Sequence, residues 1–146
     1  MTERRSKAVA IEAAATLLAT VLSGCAVTHA QWGPRWEVPA AVVTELDLAR
    51  LASFVLIPIA IGLLLWSART ARRPVALIPL CAQIVLGVGM ALLASPDNAA
   101  QWPSTRPQLS RYAGEIAFAA ALVSAFLGTF GTMMWRCPVS VPRSGT

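Results

Sequence analysis

The sequence predicts an all-α fold: a polytopic membrane protein built as a four-helix transmembrane bundle, N-in and C-in. Three observations predict it. Of the 146 residues, 56% are apolar and only 13% charged, about half the charged share of an ordinary soluble domain. The apolar residues fall in four blocks of 19 to 23 residues. At about 1.5 Å per residue each block makes a helix of about 30 Å, the thickness of a bilayer's hydrocarbon core. The basic residues stand at the ends of these blocks. A soluble chain this short has too much surface for its volume to hide so much apolar material, and isolated strands would leave backbone groups unpaired in lipid.

The elements follow in order within a single membrane domain over residues 1–146. Span one, Ala8–Val27, comes after a basic start of Arg4, Arg5 and Lys7. A long connection, 28–47, carries Glu37, Glu45 and Asp47 against Arg35. Asp47 and Arg50 stand at i,i+3 spacing, which predicts an ion pair at the start of span two with Asp47 as N-cap. Span two is Leu48–Trp66. Its Pro58 should kink the helix and free a carbonyl near residue 54. A short basic link with Arg69, Arg72 and Arg73 leads to span three, Val75–Ala94, where Pro79 is tolerated in the first turns. A polar connection with Pro96, Pro103 and Pro107 precedes span four, Tyr112–Met134. The tail after Arg136, with Pro138 and Pro142, is expected to be disordered.

Orientation follows from the cations. Arg4, Arg5, Lys7, Arg69, Arg72, Arg73, Arg136 and Arg143 fall on one side; Arg35, Arg50, Arg106 and Arg111 fall on the other. Eight against four in short loops puts the first set in the cytoplasm. Trp32, Trp36 and Trp102 on one side, and Trp66 and Trp135 on the other, stand at the interfacial levels tryptophan prefers. The net charge of +5 therefore serves membrane orientation, and no direct nucleic-acid binding is expected. Eleven Arg to one Lys, with 27 Ala, is the composition of a GC-rich coding sequence. The expected location is a bacterial cell (inner) membrane.

Two acids lie inside spans, where a charge costs about 2.5–3.5 kcal/mol at the helix centre. Glu12 is fifth in span one and has alanines beside it; Glu115 is fourth in span four, four residues after Arg111. Each is a candidate proton or cation site. Each also has an ordinary explanation, an interfacial carboxylate near a helix N-terminus. They belong to opposite membrane faces. Small residues form stripes at four-residue spacing: Ala117, Ala121 and Ala125, and Ser124, Gly128 and Thr132 in span four; Ala15, Ala19 and Ser23 in span one. Such stripes let helices approach closely in lipid, either within the bundle or against a second copy or larger partner.

Leu22-Ser23-Gly24-Cys25 resembles the lipobox of bacterial lipoproteins. That resemblance implies cleavage before Cys25, lipidation of its sulfur and three remaining spans. Glu12 in the apolar stretch and the length of Ala8–Val27 favour a retained helix. The three cysteines fall at three depths, too far apart for an internal disulfide. Ala30-Gln31-Trp32 and Ala100-Gln101-Trp102 lie 70 residues apart, and Trp66 and Trp135 lie 69 apart. A duplicated hairpin would give this order, as would the recurrence of Trp and Arg at any membrane interface.

No zinc-protease, phosphate-loop or nucleophile-elbow motif occurs. One histidine, His29, cannot ligate haem from both sides. No cofactor or metal is expected, and the chain reads as a non-enzyme. The leading expectation is an accessory membrane protein that assembles with itself or a larger membrane machine. In size, Ala/Arg-rich composition and multi-span character over its whole length, the chain resembles the small hydrophobic spread proteins of actinomycete conjugative plasmids. That resemblance implies a part in plasmid transfer beside a separate DNA-pumping ATPase, and it carries no residue role. The competing expectation is a small proton-coupled transporter or channel using Glu12.

Overall fold

A computed structural model describes residues 2–32, 40–69, 71, 74–97 and 107–137. Four long helices make up nearly all of it: α1 (Thr2–Trp32), α2 (Ala40–Ala68), α3 (Leu77–Leu93) and α4 (Pro107–Arg136), with a 3-10 turn, Pro74–Ala76, leading into α3. All four spans are long and apolar enough to cross a membrane. The expected connection around 98–106, the tail beyond residue 137, and Trp36, Trp102, Arg72 and Arg73 lie outside the described residues.

α1, α2 and α4 run past the hydrophobic blocks that announce them, whereas α3 stays within its block. A helix needs only its own hydrogen bonds to continue where the apolar run stops, and Ala, Leu, Glu and Arg all favour it. At its start α1 takes in Glu3, Arg4, Arg5 and Lys7, and Lys7 pairs with Glu3 at 2.9 Å. At its end it runs to Trp32. Since α2 begins at Ala40, the long connection expected over 28–47 is mostly helix. Asp47 is therefore a residue inside α2, not its N-cap. The expected Asp47–Arg50 pair gives way to a cation–π contact, with the Arg50 guanidinium 5.7 Å from the Phe54 ring centroid. α2 passes Pro58 as one helix, and Pro79 lies in the first turn of α3. α4 starts at Pro107, whose fixed φ suits a first helical position.

Successive helices alternate in direction, so the start of α1, the end of α2, the start of α3 and the end of α4 share one end of the bundle. Ser6 Oγ and Arg136 Nε meet there at 3.2 Å. α1 and α3 form the inner pair, and α2 and α4 flank them, each packing on both. One core cluster fills the end away from the termini, with Val27, Leu46, Met90 and Ala117. A second fills the end holding them, with Val9, Ala60, Leu64, Leu80 and Ile84. Among the described residues, twelve of the twenty buried apolar side chains are alanine, whereas large ones such as Phe118, Phe126, Val85 and Ile78 point outward. Small inside and large outside is the pattern of helices that pack by close approach and present their bulk to lipid.

Candidate functional site

A row of polar side chains runs up the inner face of α1. Glu12, Thr16, Thr20 and Ser23 are spaced by four, four and three residues, which keeps them on one helix face. All four are fully buried. The hydroxyls are accounted for locally. Thr16 Oγ1 donates to the Glu12 carbonyl (3.0 Å), Thr20 Oγ1 to that of Thr16 (2.8 Å), and Ser53 Oγ, from α2, to that of Ala49 (2.8 Å). Bonding back one turn lets a hydroxyl sit among apolar groups with its donor satisfied. Ser23 and Ser53 also meet across α1 and α2 at 3.3 Å. α3 reaches this face at Gly87, where a Cβ would stand 3.0 Å from Thr16 Cγ2 and 3.4 Å from Thr20 Oγ1. Glycine is what permits so near an approach.

Glu12 differs from its neighbours. Both carboxyl oxygens are buried and neither has a hydrogen-bond partner. It lies at the level of the second core cluster, three residues after Val9 and one before Ala13. A second orphan lies on α2: the Ser67 hydroxyl is buried and unpartnered too. The Ser23–Ser53 contact fixes the antiparallel register of α1 and α2. Continued down the helices, that register brings Ser67 level with Val9, about one turn from Glu12.

One turn before Gly87 on α3, Gln83 crosses between helices. Its Nε2 donates to the Ala13 carbonyl (2.9 Å) and to Ser124 Oγ (3.3 Å), tying α1, α3 and α4 together. Its Oε1 is buried without a partner. Sequence reasoning missed Gln83, although a lone amide in an apolar span is itself a signal. It also missed the contact at the far end between His29 Nδ1 and Glu45 Oε2, 2.7 Å and exposed. Residues sixteen apart on different helices give no periodic sign.

The other expected site residues fall as follows. Glu115 is exposed on α4, far from Glu12, and the side chain of its expected partner Arg111 lies outside the described residues. Cys25 is exposed on α1, as are Cys81 on α3 and Cys137 just past the end of α4, and all three are free thiols. α1 continues through Cys25 to Trp32 as one helix. The small-residue stripes are spent inside the bundle. Ala117, Ser124 and Gly128 are buried, while Ala121, Ala125 and Thr132 are half-buried beside them. A Cβ at Gly24 of α1 would lie 3.5 Å from the Ala117 carbonyl. Ala15, Ala19 and Ser23 are buried as well.

A single carboxyl among hydroxyls already bonded to backbone offers a place for a proton or one small cation. Among the described residues no three His, Cys, Asp or Glu side chains gather closely enough to hold a metal ion. The chain matches no protein-family profile, no curated protein and no solved structure.

Proposed function

We propose that this chain is a non-enzymatic multi-pass protein of a bacterial cell membrane, with both ends cytoplasmic, and that Glu12 is its working group. In this reading the carboxyl takes up and releases a proton or a small cation within the membrane, as the coupling site of a small carrier or channel. One observation carries it: both Glu12 oxygens are buried and unpartnered. Buried polar atoms are nearly always bonded, and a bare carboxylate in a span is costly. A bound proton or cation removes that cost. The orientation rests on the basic residues, of which Arg4, Lys7, Arg69 and Arg136 share one end of the bundle.

A hydrophobic carbodiimide tests the site, because it modifies carboxyl groups that sit out of water. Peptide mass mapping should find Glu12 modified ahead of the exposed Glu115, and less so in the presence of a cation that binds. Modification of Glu115 with Glu12 untouched would count decisively against the reading.

A second reading, assembly with another copy or with a larger machine such as plasmid transfer, draws on a ridge along α4. Phe118, Leu122, Phe126 and Phe130 follow one another at four-residue spacing and are all exposed. Phe126 and Phe130 stack with ring centroids 5.9 Å apart. Blue-native electrophoresis of Phe126→Ala beside the wild type tests this, with a fall to monomer expected. A strictly monomeric wild type ends it.

A further inference from the structure

At the end holding the chain termini, a groove of about 250 Å³ runs between α1 and α4. Its walls are Ala10, Ala14 and Leu17 on one side and Ala125 and Thr129 on the other. The hydroxyls in it are spent: Thr129 Oγ1 donates to the Ala125 carbonyl (2.8 Å) and Thr132 Oγ1 to that of Thr129 (2.9 Å). To a ligand the side walls offer no free hydroxyl, and one unpartnered polar atom, Gln83 Oε1, stays at the deep end. Arg136 stands at the mouth, where its Nε donates to Ser6 Oγ at 3.2 Å and is held at the rim. Gln83 closes the deep end, its amide nitrogen already committed to Ala13 and Ser124. A wider hollow of about 430 Å³ shares Thr129, Thr132 and Arg136 and continues outward to Cys137.

The dimensions fit one kind of occupant. From Arg136 back to Ala125 the helix covers about 16 Å, roughly half of a hydrocarbon core of about 30 Å. The groove is thus about one leaflet deep, with a fixed cation at headgroup level and no unspent donor along its length. Arg4 adds positive charge at the same end of α1, where Lys7 is paired with Glu3. Basic residues at the cytoplasmic mouth of an interhelical groove attract anionic headgroups.

We propose that this groove binds a single anionic phospholipid, its phosphate on Arg136 and one acyl chain lying between α1 and α4 as far as Gln83. The site rests on the membrane reading above and is independent of Glu12. The test is native mass spectrometry of the full chain in mild detergent, titrated with phosphatidylglycerol and with phosphatidylcholine of the same acyl chains. The wild type should retain one phosphatidylglycerol, favoured by about five-fold or more, the contribution of one surface cation. Arg136→Gln should bring the two lipids to near parity, and Arg136→Lys should keep the preference. Ala14 is exposed, so Ala14→Trp fills the groove without displacing the core and should abolish retention of both lipids. Parity in the wild type, an unchanged preference in Arg136→Gln, or retained lipid in Ala14→Trp each overturns the site. Alkaline carbonate extraction separates the two levels. A chain released from membranes fails the membrane reading, whereas a chain that stays in them without lipid preference fails this proposal alone.

Discussion

Gly128→Ala should destabilise the bundle more than any exposed alanine substitution, by an amount the structure lets one work out. The new Cβ would stand 2.8 Å from Gln83 Nε2, 3.1 Å from its Oε1 and 3.2 Å from its Cδ. All three atoms belong to one buried side chain, which cannot retreat without loosening its bonds to Ala13 and Ser124. Interhelical hydrogen bonds in membranes contribute about 0.6 kcal/mol each, so losing both costs about 1 kcal/mol. Forcing a methyl into a filled site costs about 1–3 kcal/mol. Alanine returns about 0.5–1 kcal/mol through its better helix propensity. The net is a loss of about 2 kcal/mol, read as a melting point lowered by roughly 5–10 °C in detergent. Gly62→Ala is the control, because nothing lies within 4 Å of its Cβ position, and it should melt at or slightly above the wild type. The double variant Gly128→Ala with Gln83→Ala should melt like Gln83→Ala alone, since the clashing group is gone. A Gly128→Ala protein as stable as Gly62→Ala, or a penalty that adds in full to that of Gln83→Ala, would show that Gln83 does not hold the three helices together.

The remaining predictions concern Glu12, Cys25 and the His29–Glu45 contact. Glu12→Leu should raise the melting temperature, because it removes a buried unpartnered carboxyl worth up to about 2.5–3.5 kcal/mol, while proton or cation binding is lost; a lowered melting temperature contradicts this. The intact chain should keep its first 24 residues, so mass spectrometry should find Cys25 as an unmodified thiol; a mature chain beginning at a lipidated Cys25 would reverse the four-span reading. Glu45→Gln should change stability by less than about 1 kcal/mol, as exposed pairs do, and a larger loss in a melting curve would show that the contact joins α1 to α2 more strongly than its exposure allows.

Hydropathy made the four helices legible because each contains an apolar run long enough to cross a membrane. It could not find the helix ends. Glu3 to Lys7 belong to α1 and Glu45 to Asp47 to α2 although all are charged, since backbone hydrogen bonding does not stop at the edge of the hydrocarbon. The stripes at Ala117 and Gly128 were equally legible as surfaces for close approach. Their partner was not, because only the tertiary arrangement shows Gly24 of α1 against Ala117. For the candidate site, Glu12 stood out as an acid in an apolar run. Its alignment with Thr16, Thr20 and Ser23 could have been read from spacing and was not. That neither carboxyl oxygen finds a donor depends on α2 and α3, beyond the reach of any local pattern.

The central place of α1 bears on how the protein is made. It precedes the other three helices in the chain, yet half of its apolar segment is covered by them, against 28% for α2. Until α2, α3 and α4 are synthesised, Glu12, Thr16 and Thr20 have no bundle to face. A fragment of one or two helices therefore leaves its most polar helix without the partners that cover it. Chains truncated after Ala68 should be degraded faster than the full chain in a pulse-chase measurement, because they lack the α3 face that Gly87 brings against Thr16 and Thr20.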